Sequence, residues 1–138
     1  MNPKALGEWA EAEILAAFAR HNCEVWKPVG DNQRADLALR IDGRFYTVQC
    51  KTGRLDVGAI RFPTCSSQGH RGRGKQSYRG QVDLFAVYCP ETDGVYVIPV
   101  ATAGLTAAVL RLAPARNGQA RKIRRADEHE LSGWSCAR

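Results

Sequence analysis

Apolar residues recur along this chain at two spacings, and the change from one to the other divides it. From Pro3 to Arg20, Leu6, Ala10, Ile14, Ala17 and Phe18 fall on one stripe at 100° per residue, which predicts an amphipathic helix. Asn2 and Pro3 supply its cap and first turn. After that the period shortens to two. Cys23–Gly30 predicts a short strand closed by Pro28 and Gly30, and "GDNQR" a turn. "ADLALRI" (35–41) and "RFYTVQCKT" (44–52) alternate on either side of Asp42-Gly43, a strong hairpin signal. "AIRFPT" (59–64) predicts another strand, while "VDLFAVYCP" (82–90) and "GVYVIPV" (94–100) predict two adjacent strands joined by "ETD". "TAGLTAAVLRLA" (102–113) predicts a closing helix ahead of a basic tail. The implied class is α/β (α+β), a central mixed sheet flanked by helices. At 138 residues the chain is expected to be one domain, 1–138, with a basic C-terminal segment, 113–138.

Some polar residues interrupt this pattern. Glu11 falls inside the apolar sector of the helix, between Ile14, Leu15 and Phe18, and Gln49 and Lys51 share one face of a strand that is otherwise suited to burial. A two-residue loop at Asp42-Gly43 sets Ile41 against Arg44, and counting back from there sets Asp36 across from Gln49. Burying such groups without partners costs several kcal/mol, so each needs a partner or a task. If the helix packs over the face of Gln49 and Lys51, all four converge. Oxygen atoms from Glu11, Asp36, and the Gln49 side chain or Cys50 backbone carbonyl would suit Mg²⁺, with Mn²⁺ able to substitute. Lys51 would orient a water or stabilise charge on a phosphate. Plainer roles compete: a Glu11–Lys51 salt bridge, Asp36 as a turn cap, and Asp83 as either a site acid or a strand-entry acid bonded to backbone amides.

Charge adds a partner to this picture. Twenty Lys and Arg against 14 Asp and Glu give a net charge of +6, and most of the cations are Arg, whose fork suits phosphate. No acid lies between Val57 and Val82, or between Gly94 and Ala126. A polyanion is the natural partner, with Arg61, Arg71, Arg73, Lys75, Arg79, Arg121, Lys122, Arg124 and Arg125 as the cations that would meet it. Five cysteines without a CxxC pair argue against zinc or a disulfide framework and for reduced thiols. The stretch "GHRGRGKQ" has no Ser or Thr after Lys75 and follows no apolar strand, so a nucleotide cofactor is not expected. No run approaches the roughly 18 apolar residues of a membrane span, and the first residues are too acidic and polar for a secretory signal. The expected location is cytoplasmic, nucleoid-associated in a bacterium, or phage- or intron-encoded.

"GEWAE", "DNQRADL" and "VQCKT", in that order, resemble the PD-(D/E)XK nuclease superfamily. The helix motif, with Glu11 four residues after Gly7, resembles that of archaeal Holliday-junction resolvases. Gln49 stands where the superfamily usually has a second acid. The Gln-x-Lys form, with "PVGDNQRADL" and "YRGQVDLFAVYCPETDGVYVIPV", is similar to group-I-intron homing endonucleases of this fold, and the resemblance runs from about Gly7 to Val100. It implies a Mg²⁺-dependent, site-specific DNA endonuclease with Glu11, Asp36, Gln49 and Lys51 as catalytic residues, working as a dimer or tetramer. A structure-selective junction resolvase is the alternative within the same chemistry. The alternative of another class is an inactive DNA-binding module, because Gln49 brings no charge to the metal.

Overall fold

A computed structural model of the chain describes residues 1–30, 33–67 and 75–112. Helix α1, Pro3–Arg20, begins at Asn2, whose side chain accepts the Ala5 amide at 2.8 Å. The buried stripe is Ala10, Ile14, Ala17 and Phe18. Strands β1 (Glu24–Trp26), β2 (Leu37–Ile41) and β3 (Arg44–Thr52) follow. Asp42 and Gly43 both have positive φ, 51° and 78°, and Ile41 pairs with Arg44. This is the type I′ geometry that Asp-Gly favours, because its twist matches that of the flanking strands.

Next come β4 (Arg54–Asp56), β5 (Ala59–Pro63), β6 (Cys65–Ser67), β7 (Lys75–Ser77), β8 (Leu84–Cys89) and β9 (Gly94–Pro99). The five-stranded sheet has the order β1-β2-β3-β8-β9, antiparallel except for β3 and β8, which run parallel. It is therefore mixed, as expected. Helix α1 covers one face, packing on Leu37, Leu39, Val48, Ala86, Tyr88 and Val97.

The opposite face departs from the sequence reading. In place of a helix over 102–113 there is a short 3₁₀ turn, Val100–Thr102, and then strand β10, Ala107–Arg111. β10 pairs with β5, and β5 with β4, in a second sheet that buries Ile60, Phe62, Ala108 and Leu110 against Phe85, Val87, Tyr96 and Ile98. Ala108 and Leu110 lie two apart, the period of a strand, and β5 supplies a complete ladder for them. Tertiary pairing here overrides a local preference that Ala and Leu would satisfy in a helix. Among the described residues the main sheet is flanked by a helix on one face and a sheet on the other.

Cys50, Cys65 and Cys89 are free thiols, whereas Cys23 is disulfide-bonded, which departs from the expectation of reduced cysteines throughout. No helix among the described residues is long and apolar enough to cross a membrane. The basic segment 113–138 lies outside the described residues.

The β4–β5 turn carries a backbone cost. Val57 and Gly58 have φ of 47° and 72°, and Val57 is 67% exposed, so its β-branched side chain gains little burial in return for a left-handed conformation. Val57→Asn is expected to stabilise the fold by about 1 kcal/mol, raising the thermal midpoint by about 2–6 °C. A calorimetric midpoint at or below that of the wild type would contradict this account of the turn.

Candidate active site

The site begins where the β2–β3 ladder ends. Asp36 donates its amide to the Val48 carbonyl at 2.9 Å, and its carboxylate, one residue ahead of β2, accepts the Cys50 amide at 2.8 Å. Leu37 pairs with Val48, so Asp36 stands across from Gln49 as the hairpin register requires. Gln49 and Lys51 share its face of the sheet, beside Phe85 and Val87 of β8.

That face is not the one α1 covers. Val48 and Cys50, the apolar alternates of β3, turn toward the helix, because an apolar stripe gains most against apolar residues. Glu11 therefore does not descend onto Gln49 and Lys51 as the sequence suggested. It approaches Asp36 around the end of the sheet, where both line a cleft of about 380 Å³ with Lys27, Pro28, Gly30, Gln33 and Ala35. The plainer alternative, a Glu11–Lys51 salt bridge, is absent. Glu11, with its side chain about 35% exposed, pairs instead with Lys27 at 3.4 Å.

Electrostatics follow from this placement. Burial pushes the Asp36 carboxyl above the usual carboxylate range, and the charge of Glu11 adds to the shift; the Cys50 amide, Lys51 and Lys27 oppose it. Burial, reinforced by Asp36 and Glu11, also pushes the Cys50 thiol up. A thiol so held is inert, leaving the Cys50 carbonyl as the group this residue can offer. The Gln49 amide nitrogen donates to that carbonyl at 3.3 Å, and the Gln49 side-chain oxygen has no donor among the described residues.

Lys51 makes no ion pair among the described residues. Its ammonium lies 3.4 Å from the Tyr78 hydroxyl and 4.7 Å from the centre of the Tyr78 ring. No group of three or more His, Cys, Asp or Glu among the described residues could hold a metal. Any cation here would depend on two carboxylates completed by neutral oxygens. Glu11 and Asp36 share the cleft, and their carboxylate oxygens are of the hard kind Mg²⁺ takes, whereas Gln49 and Cys50 lie beside Asp36 and not among the residues that line it.

Asp83 resolves to the structural role. Its carboxylate accepts the Thr47 amide at 2.9 Å and the Thr47 hydroxyl at 3.2 Å, fastening the start of β8 to β3. Of the expected DNA-binding cations, Arg61 pairs with Asp56 at 3.3 Å, and Arg79 donates to the Ala103 carbonyl at 2.6 Å. Lys75 lies on β7; its side chain, like Arg71, Arg73, Arg121, Lys122, Arg124 and Arg125, falls outside the described residues. Lys27, Arg34 and Tyr78 were not singled out in the sequence. Arg34 and Tyr78 sit inside the quoted stretches "DNQRADL" and "YRGQVD", but their approach spans more than forty residues, beyond any local period.

The signature of a PD-(D/E)XK endonuclease family matches residues 1–132 of the chain. The protein belongs to that family, and is thus a nuclease of the class that acts on DNA. In fold it is similar to a bacterial homing endonuclease, I-Ssp6803I, with a TM-score of 0.74 and 22% sequence identity over 96% of this chain and 91% of that one. No curated protein matches the chain.

The raised Asp36 carboxyl has a consequence for stability. A group whose pKa is higher folded than unfolded stabilises the fold fully when protonated, and that contribution is lost as pH rises through the folded value. In EDTA, Asp36→Asn, which can still accept the Cys50 amide, should therefore resist urea better than the wild type at pH 7. The advantage should fade as the pH falls through the carboxylate range. A variant less stable at pH 7 than at pH 3, relative to wild type, would show that the Cys50 bond outweighs the burial.

Proposed function

We propose that the protein is a divalent-metal-dependent endonuclease that hydrolyses phosphodiester bonds in double-stranded DNA, site-specifically, in the manner of a homing endonuclease. The observation that carries the metal is the shared cleft of Glu11 and Asp36, in which burial and the second carboxylate disfavour ionisation of the first. Glu11, Asp36, the Gln49 side-chain oxygen and the Cys50 carbonyl would hold Mg²⁺, or Mn²⁺ in its place. Such an ion acidifies a water and offsets charge on the attacked phosphate. Lys51, without a carboxylate partner among the described residues, would face the non-bridging oxygens of the phosphate as negative charge builds there.

Affinity in this reading comes from the net charge of +6 and the arginine-rich stretches, so binding should weaken steeply with salt as counterions are displaced. A chain of this size cutting both strands would need at least two copies, hence a homo-oligomer. Gln49 favours a second reading: an amide brings oxygen without charge, and the site would then bind DNA and not cut it.

The test uses supercoiled plasmid, a randomised duplex pool and a four-way junction, each with Mg²⁺, Mn²⁺ or EDTA. A homing-type enzyme should leave ends sharing one long duplex consensus. Preferential cleavage of the junction would instead identify a resolvase, and binding without cleavage under every condition would identify the inactive module. Lys51→Met should abolish cleavage while holding DNA affinity within about 3-fold, since one cation is lost among many phosphate contacts. Gln49→Ala should lose activity with the oxygen, whereas Gln49→Glu should keep or tighten metal binding. An active wild type with an equally active Gln49→Ala variant would remove Gln49 from the site.

A further inference from the structure

Lys51 is seated on an aromatic ring that is itself clamped. Tyr78 is 5% exposed and packs edge-on against Phe85 at 5.7 Å between centroids. Its backbone opens a turn: the Gln81 amide returns to the Tyr78 carbonyl at 3.0 Å, and Gly80 has φ of 76°, the positive value a type II turn demands at its third position. Arg34 ties this arrangement together. It donates to the Gln81 side chain at 2.6 Å, the Ser66 hydroxyl at 2.6 Å and the Ser77 carbonyl at 2.9 Å, and its guanidinium lies 3.8 Å from the centre of the Tyr78 ring. A planar, forked cation held in this way is suited to stacking on an aromatic face.

The chemistry of the seat matters. An ammonium has three donors; the Tyr78 hydroxyl takes one, and the ring attracts the charge without cancelling it. A carboxylate in the same place would orient the lysine and also neutralise its charge. A phenol orients it and brings no opposing charge. We propose that Tyr78, clamped by Arg34, is a positioning residue that aims the Lys51 ammonium at the attacked phosphate. This rests on the nuclease reading above.

The test compares Tyr78→Phe, which keeps the ring and loses the hydroxyl, with Tyr78→Leu, which loses both. In single-turnover cleavage of whichever substrate the wild type cuts, Tyr78→Phe should slow the chemical step by up to about 10-fold and Tyr78→Leu by about 100-fold. DNA affinity should stay within about 2-fold in both, because few phosphate contacts are lost. A readout independent of activity comes from protein labelled with ¹³C at the lysine ε-carbon. The Lys51 ε-methylene protons, identified by their loss in Lys51→Met, should be shifted by the ring current in the wild type and Tyr78→Phe, and not in Tyr78→Leu. Arg34→Ala should reduce that shift. An unshifted Lys51 signal in the wild type overturns the proposal whether or not the protein cuts DNA. Wild-type rates in both Tyr78 variants of an active enzyme overturn the positioning role alone. A parallel fall of rate, affinity and melting temperature in Tyr78→Phe also overturns it, by marking Tyr78 as merely structural. A wild type that binds DNA and never cuts it overturns the nuclease reading itself, and the aiming of Lys51 with it.

Discussion

The bond from the Cys50 amide to the Asp36 carboxylate, 2.8 Å long, is the constraint on which the site depends. It uses a side chain to close a ladder that the backbone otherwise builds, so Asp36 is held at the end of the sheet and in the lining of the cleft at once. That double duty is what burial makes costly, and the cost falls on ionisation of Asp36. Glu11, coming around the sheet end, increases it, while Lys27 and Lys51 reduce it. The acids and cations at this corner form a balance of charge that no single pair accounts for.

The two faces of β3 divide the labour. Val48 and Cys50 anchor the strand to α1 through apolar contact, and Gln49 and Lys51 look the other way, toward Phe85, Val87 and Tyr78. A strand with both faces apolar would be easier to bury but could carry no chemistry. One with both faces polar would lose the helix. Alternation at period two lets nine residues, Arg44–Thr52, carry core on one face and the candidate site on the other.

Much of this was legible in the sequence, and for a physical reason. Asp42-Gly43 fixes a register by turn geometry alone, so Asp36 against Gln49 followed from counting residues. The helix was legible from its stripe and cap. The face that α1 covers was not, because alternation along β3 offers the helix two faces and the choice depends on packing. The strand at Ala107–Arg111 was misread as helix because Ala and Leu suit both states and the deciding partner, β5, lies more than forty residues away. The Tyr78 seat was hidden for the same reason: aromatic and basic residues in a glycine-rich stretch have no period from which a neighbour can be inferred.

The parallel pairing of β3 with β8 also has a consequence for the order in which the fold assembles. Glu11, Asp36, Gln49 and Lys51 lie within the first 51 residues, on or beside α1 and the β2–β3 hairpin. The lysine's seat is different in kind. Tyr78 reaches Lys51 only when the chain crosses from Thr52 to Leu84 and β8 docks beside β3, and closing so long a connection carries an entropic cost before any contact offsets it. The carboxylates thus depend on elements close in sequence, and the seat of Lys51 on elements far apart in it.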